Sequence, residues 1–194
     1  MIDWNSRTAL IVVDCQNDFA DPEGSLYVRG GEGVIAAVNS AIADALIAGS
    51  PVFYTQDWHP EKTPHFKKYG GIWPVHCVAG MWGAEFHPLL VKKGRVVRKG
   101  ANGEDGYSGF TMRDPVDGTE VPTELESLLR EVKVEAVVVT GLALDYCVKA
   151  TAIDAAGLGY RTMVPLRLTA AVELATGDGE AAAAEIRASG AEVT

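Results

Sequence analysis

The chain has 194 residues, 47% of them hydrophobic and 22% charged, which suits one globular domain spanning 1–194 with a core of its own. Its 26 acidic residues outnumber 17 basic ones for a net charge of −9, which argues against nucleic acid or an anionic membrane as partner. No apolar run is long enough to span a bilayer, and the opening MIDWNSRTALIVVDCQ has no basic segment followed by a cleavage site, so the cytoplasm is the expected compartment.

Residues 8–14, TALIVVD, form a continuous apolar run closed by a charge, as in a strand buried on both faces. Val34, Val38, Ala41, Ile42, Ala45 and Leu46 share one helix face, closed by Gly49. PVFYTQD, 51–57, reads as the second strand. Residues 58–94 are long and have little periodicity, and a loop of that length inside a compact domain tends to be functional. RVVRK, 95–99, is a short third strand, 123–132 an amphipathic helix, and 136–140 the fourth strand. After the turn at Gly141, a helix is expected to open within a residue or two of Cys147 and to run to about Ala156, with Asp145 as its cap. Residues 160–165 are a fifth strand, 178–189 a helix stopped by Gly190, and 191–194 a short sixth edge strand.

Strands alternating with helices predict an α/β fold: a three-layer, doubly wound, Rossmann-like parallel sheet of about six strands with helices on both faces. No G-x-G-x-x-G follows the first strand, so the sheet does not imply a dinucleotide.

In such sheets ligands lie beyond the carboxyl ends of the strands. Asp14, Asp57 and Lys99 end the first three strands, and Cys147 follows the fourth. A cysteine at a helix N-terminus meets free N–H groups and the positive end of the dipole, which should lower its pKa and supply donors for an oxyanion. A lone cysteine in an apolar segment is more often a small buried hydrophobe, so the weight rests on the joint pattern. Asp14, with a raised pKa, would take the thiol proton and return it to a leaving amine, and Lys99 would hold that carboxylate. Asp57 at the end of the second strand and His59, His65 and His76 in the long excursion form a second set, and a carboxylate with imidazoles suits Zn²⁺, Mn²⁺ or Fe²⁺. His87 is read as ordinary loop, Gln16 and Asp18 as structural hydrogen-bonders. Cys15, Cys77 and Cys147 lack framework spacing and fit reduced thiols.

Six segments, in order, carry a resemblance: DCQNDF at 14–19, DWHP at 57–60, WPVHCV at 73–78, RKG at 98–100, YSGF at 107–110 and GLALDYCV at 141–148. Over nearly its whole length the chain resembles nicotinamidases, within the isochorismatase-like cysteine hydrolases. The resemblance implies hydrolysis of nicotinamide to nicotinate and ammonia, and of pyrazinamide to pyrazinoate. Cys147 would attack the carboxamide carbon, Asp14 would move the proton, and Lys99 would complete the triad. The N–H groups of Ala143 and Cys147 would form the oxyanion hole, with a cis peptide before Ala143. Asp57, His59, His65 and His76 would hold one divalent metal ion (Zn, Fe or Mn) that orients the pyridine ring, and Phe19, Trp73 and Tyr107 would wall that ring. The alternative is another amidase of the superfamily, acting on a ureido or carbamoyl substrate.

Overall fold

A computed structural model describes residues 2–194. In chain order the elements are β1 (Thr8–Val13), α1 (Asn17–Ala20), α2 (Gly31–Ile47), β2 (Val52–Asp57), β3 (Arg95–Lys99), β4 (Thr111–Arg113), β5 (Glu120–Pro122), α3 (Leu125–Glu131), β6 (Ala136–Leu142), α4 (Lys149–Gly157), β7 (Arg161–Val164), β8 (Thr169–Ala170), α5 (Asp178–Ala188) and β9 (Glu192–Val193). A π-helical turn, Leu144–Val148, leads directly into α4. The main sheet runs β3-β2-β1-β6-β7-β9, every pairing parallel. A seventh strand, β8, pairs with the top of β6 at Gly141 and Leu142, beyond the point where β7 stops. The expected strands and the doubly wound order are therefore present, with β8 and the small antiparallel pair β4–β5 added.

All six residues of β1 are buried, as its uninterrupted apolar run requires at the centre of a sheet covered on both sides. Successive side chains alternate between the faces. Leu10 and Val12 pack with Val34, Val38 and Ile42 of α2, whereas Ala9, Ile11 and Val13 pack with Leu125 and Leu129 of α3, Ala152 of α4 and Ile186 of α5. Each fully buried aliphatic side chain contributes about 1.5–3 kcal/mol of transfer free energy. The excursion between β2 and β3 covers the α2 side through Cys77, Ala84, Phe86 and Leu90, taking the place of a crossover helix.

The sheet order reverses direction at β1 and β6, which opens a crevice at their carboxyl ends. Gly141, near the end of β6, has φ +102°, and a Cβ there would run into the Val13 backbone. Only glycine lets β6 lie this close to β1 where the chain leaves both strands. The Leu142–Ala143 peptide is cis, as the resemblance implied. Among the described residues no helix is long and apolar enough to cross a membrane.

Candidate active site

Asp14 follows β1, Asp57 and Lys99 end β2 and β3, and Cys147 lies in the π turn after β6. The structure brings all four together at the crevice, and all four are buried. The Lys99 ammonium lies 2.7 Å from Asp14 Oδ2 and also donates to Asp57 Oδ1 and to the Gly106 carbonyl. It stands 3.7 Å from Cys147 Sγ. Lys99 was expected to hold Asp14; it holds Asp57 as well, and so joins the cysteine group to the histidine group. Thr55 donates its hydroxyl to the other Asp14 oxygen at 2.7 Å. Burial works against the Lys99 ammonium, but the two carboxylates outweigh it and keep its pKa well above the ordinary lysine value.

Burial also dominates at Asp14, pushing its pKa up to about 6; Lys99 opposes the shift and Asp57 adds to it. At Asp57 the net direction is reversed. Burial would raise the pKa, but Lys99 and the neighbouring imidazoles pull it below the usual carboxylate range.

Two expectations about Cys147 are corrected. The thiol pKa is raised well above its ordinary value: burial is the largest cause, the Asp14 and Asp57 carboxylates reinforce it, and Lys99 only partly offsets it. The helical run opens at Leu144, so Cys147 lies inside the first turn and meets two nearby anions as well as the helix end. Nor does Asp145 cap the helix. Its carboxylate accepts the Val172 and Glu173 N–H groups at 2.9 Å each, so it supports the loop after β8 instead.

His59, His65 and His76 are buried and converge, with one ring nitrogen from each lying within 4.8 Å of the others. The rings stack or meet edge-on at 4.7 to 5.4 Å between centroids. His65 Nδ1 is 2.5 Å from Asp105 Oδ1, and His76 Nδ1 is 2.8 Å from the Pro74 carbonyl, which leaves both Nε2 atoms free to face inward. Both ring nitrogens of His59 are buried without a hydrogen-bond partner among the described residues. Such orphaned atoms are costly unless a ligand satisfies them. Asp57 stands at the edge of this group, its Oδ2 3.7 Å from His59 Nε2 and 3.9 Å from His76 Nε2. Gly100, at φ +73°, leaves room for the His59 ring, which a Cβ there would meet. Burial holds the His76 pKa down at about 4, against the pull of Asp57. Buried imidazoles with an adjacent carboxylate fit a borderline divalent ion.

Between the two groups lies a cleft. Phe19, Trp73 and Tyr107 line it, together with His65, His76 and Cys147. Trp73 Nε1 donates to the Tyr107 hydroxyl at 2.8 Å. Burial raises the Tyr107 pKa to about 12. Tyr146 was not singled out from the sequence, although it precedes Cys147. It meets Trp73 edge-on at 4.7 Å and stacks near Tyr107 at 6.2 Å. Ala143 also lines the cleft, and its carbonyl accepts the Tyr146 and Val148 N–H groups. His87 lies outside the cluster, as expected, with Nδ1 accepting the Leu89 N–H at 3.3 Å. Gln16 and Asp18 are structural: Gln16 bonds to both the N–H and the carbonyl of Asp57, and Asp18 accepts the Cys77 N–H at 2.7 Å. The three cysteines are free thiols.

Residues 8–194 match the isochorismatase domain. A nicotinamidase/pyrazinamidase of Mycobacterium tuberculosis is 41% identical, the match covering 87% of this chain and 89% of that protein. A structure from L. infantum in complex with nicotinate superposes with a TM-score of 0.88 at 36% identity, covering 100% of this chain and 95% of that one. A Pyrococcus horikoshii pyrazinamidase in complex with zinc superposes with a TM-score of 0.85 at 34% identity, covering 97% and 98%. With this fold and these matches along nearly its full length, the chain belongs to the isochorismatase domain family.

Proposed function

We propose that the protein is a cysteine amidohydrolase that converts nicotinamide to nicotinate and ammonia, and pyrazinamide to pyrazinoate. The observation that carries this reading is one cleft lined both by Cys147, which stands beside the buried Lys99–Asp14 pair, and by His65 and His76 of the three converging imidazoles. The relatives' activities and the nicotinate bound to one of them support the same substrate class.

In this reading the flat ring lies among Phe19, Trp73 and Tyr107, whose apolar faces and edges suit an aromatic ligand. His59, His65 and His76, with Asp57 beside them, would hold a divalent ion that acts as a Lewis-acid anchor for the ring nitrogen. Zinc is the first ion to test, since a relative was determined with it. The resting thiol is protonated, so a base must act, and Asp14 has the matching pKa near 6. Asp14 takes the thiol proton as Sγ bonds to the carboxamide carbon. The N–H groups of Ala143 and Cys147 would receive the developing oxyanion. Asp14 then passes its proton to the leaving nitrogen, the C–N bond breaks, and ammonia departs from a thioester. Water, deprotonated by Asp14, attacks that thioester; the C–S bond breaks, the carboxylate leaves and the thiol regains its proton. Lys99 keeps the Asp14 carboxylate in place through the cycle.

The test is steady-state hydrolysis of nicotinamide and of benzamide, which lacks the ring nitrogen. A strong preference for nicotinamide is expected; equal rates would reject the role given to the histidine group, and hydrolysis of ureido compounds alone would favour a different amide substrate.

A further inference from the structure

We propose that Asp105 is a positioning residue for the metal site, accepting a hydrogen bond from the His65 Nδ1–H and so turning the His65 Nε2 lone pair toward His59 and His76. The inference rests on reading those three imidazoles as ligands. Asp105 is well placed for the task. Its side chain is only 17% exposed, and its carboxylate lies 2.5 Å from His65 Nδ1. Its backbone is fixed to Arg113, the last residue of β4, donating to the Arg113 carbonyl at 2.7 Å and accepting the Arg113 N–H at 3.1 Å. Thr63 joins the same two segments a second time: its hydroxyl donates to the Gly103 carbonyl at 2.7 Å and accepts the His65 N–H at 3.1 Å. The position of His65 relative to Asp105 is thus set by side chain and backbone together.

The three imidazoles are not supported alike. Among the described residues, His76 Nδ1 meets a neutral carbonyl and His59 has no partner, so only His65 has a carboxylate on its outer nitrogen. A carboxylate there fixes the tautomer and makes the opposite nitrogen a better donor, and losing such a partner typically weakens metal binding by about 10–100-fold.

The experiment titrates Zn²⁺ into the full chain after chelator stripping, with Asp105→Ala, Asp105→Asn and His65→Ala alongside, and records the melting temperature of each metal-free protein. Asp105→Ala is expected to weaken Zn²⁺ binding by about 10–100-fold with the metal-free melting temperature unchanged. Asp105→Asn, whose amide oxygen still accepts from Nδ1, should fall between wild type and Asp105→Ala. Zn²⁺ binding by Asp105→Ala within twofold of wild type, with binding lost in His65→Ala, would overturn the inference and leave the metal reading intact. A weaker Asp105→Ala site accompanied by a matching fall in metal-free melting temperature would also overturn it, as a folding defect. Wild type without a Zn²⁺ site, or His65→Ala binding as wild type does, would reject the metal reading and this inference with it.

Discussion

At the scale of single residues, burial governs the chemistry. It keeps Cys147 protonated at rest and raises the Asp14 pKa to about 6, so the carboxylate is matched to the task of moving a proton near neutral pH. The sign of the pH dependence follows. As pH falls through about 6, Asp14 gains a proton and can no longer act as base, so kcat/KM should drop about tenfold per unit below that point. A pH–rate profile checks this, and a flat profile from pH 7 to 5 would contradict the assignment. Cys147→Ala should lower kcat by about 10⁴-fold or more, since a covalent route cannot run without its nucleophile. That Cys147, Asp14 and Lys99 meet at one rim was legible from the strand ends. The thiol's protonation state was not, because the helix end was visible in the sequence while the Asp14 and Asp57 carboxylates beside it were set by the fold.

At the scale of elements, the strands were legible because the apolar runs of β1 and β6 permit no other environment than a buried sheet. The segment after β3 was not. Asp105 is brought to His65 by its pairing with Arg113, and the short β4–β5 ribbon has no apolar period to announce it. The presence of an acid two residues before Tyr107 was the one available hint. Two positions test the element-level account. Gly141→Ala places a Cβ against the Val13 backbone at φ +102° and should cost at least about 2 kcal/mol in urea unfolding. Asp145→Ala removes the acceptor for two N–H groups of the segment that brings Val172 to the cleft, and charge-assisted bonds of this kind contribute about 1.5–3 kcal/mol each. That variant should melt earlier and show a raised KM; unchanged values of both would count against the support role.

At the scale of the whole molecule, the reversal of strand order at β1 and β6 lets residues far apart in the chain share one crevice. The excursion after β2 folds over the same rim and delivers His65, Trp73 and His76 to it. Lys99 then links the two groups by bonding to Asp14 on one side and Asp57 on the other. This division of labour predicts that stripping the metal raises KM for nicotinamide by about tenfold or more, the loss of an anchor contributing about 1.4 kcal/mol, while alkylation of Cys147 persists. The most direct measurement is ammonia release from nicotinamide by purified wild type beside Cys147→Ala, with metal content assayed on the same samples. Robust release from wild type, none from the variant and metal in both is the expected result; no release from metal-loaded wild type, or undiminished release from Cys147→Ala, would contradict the account.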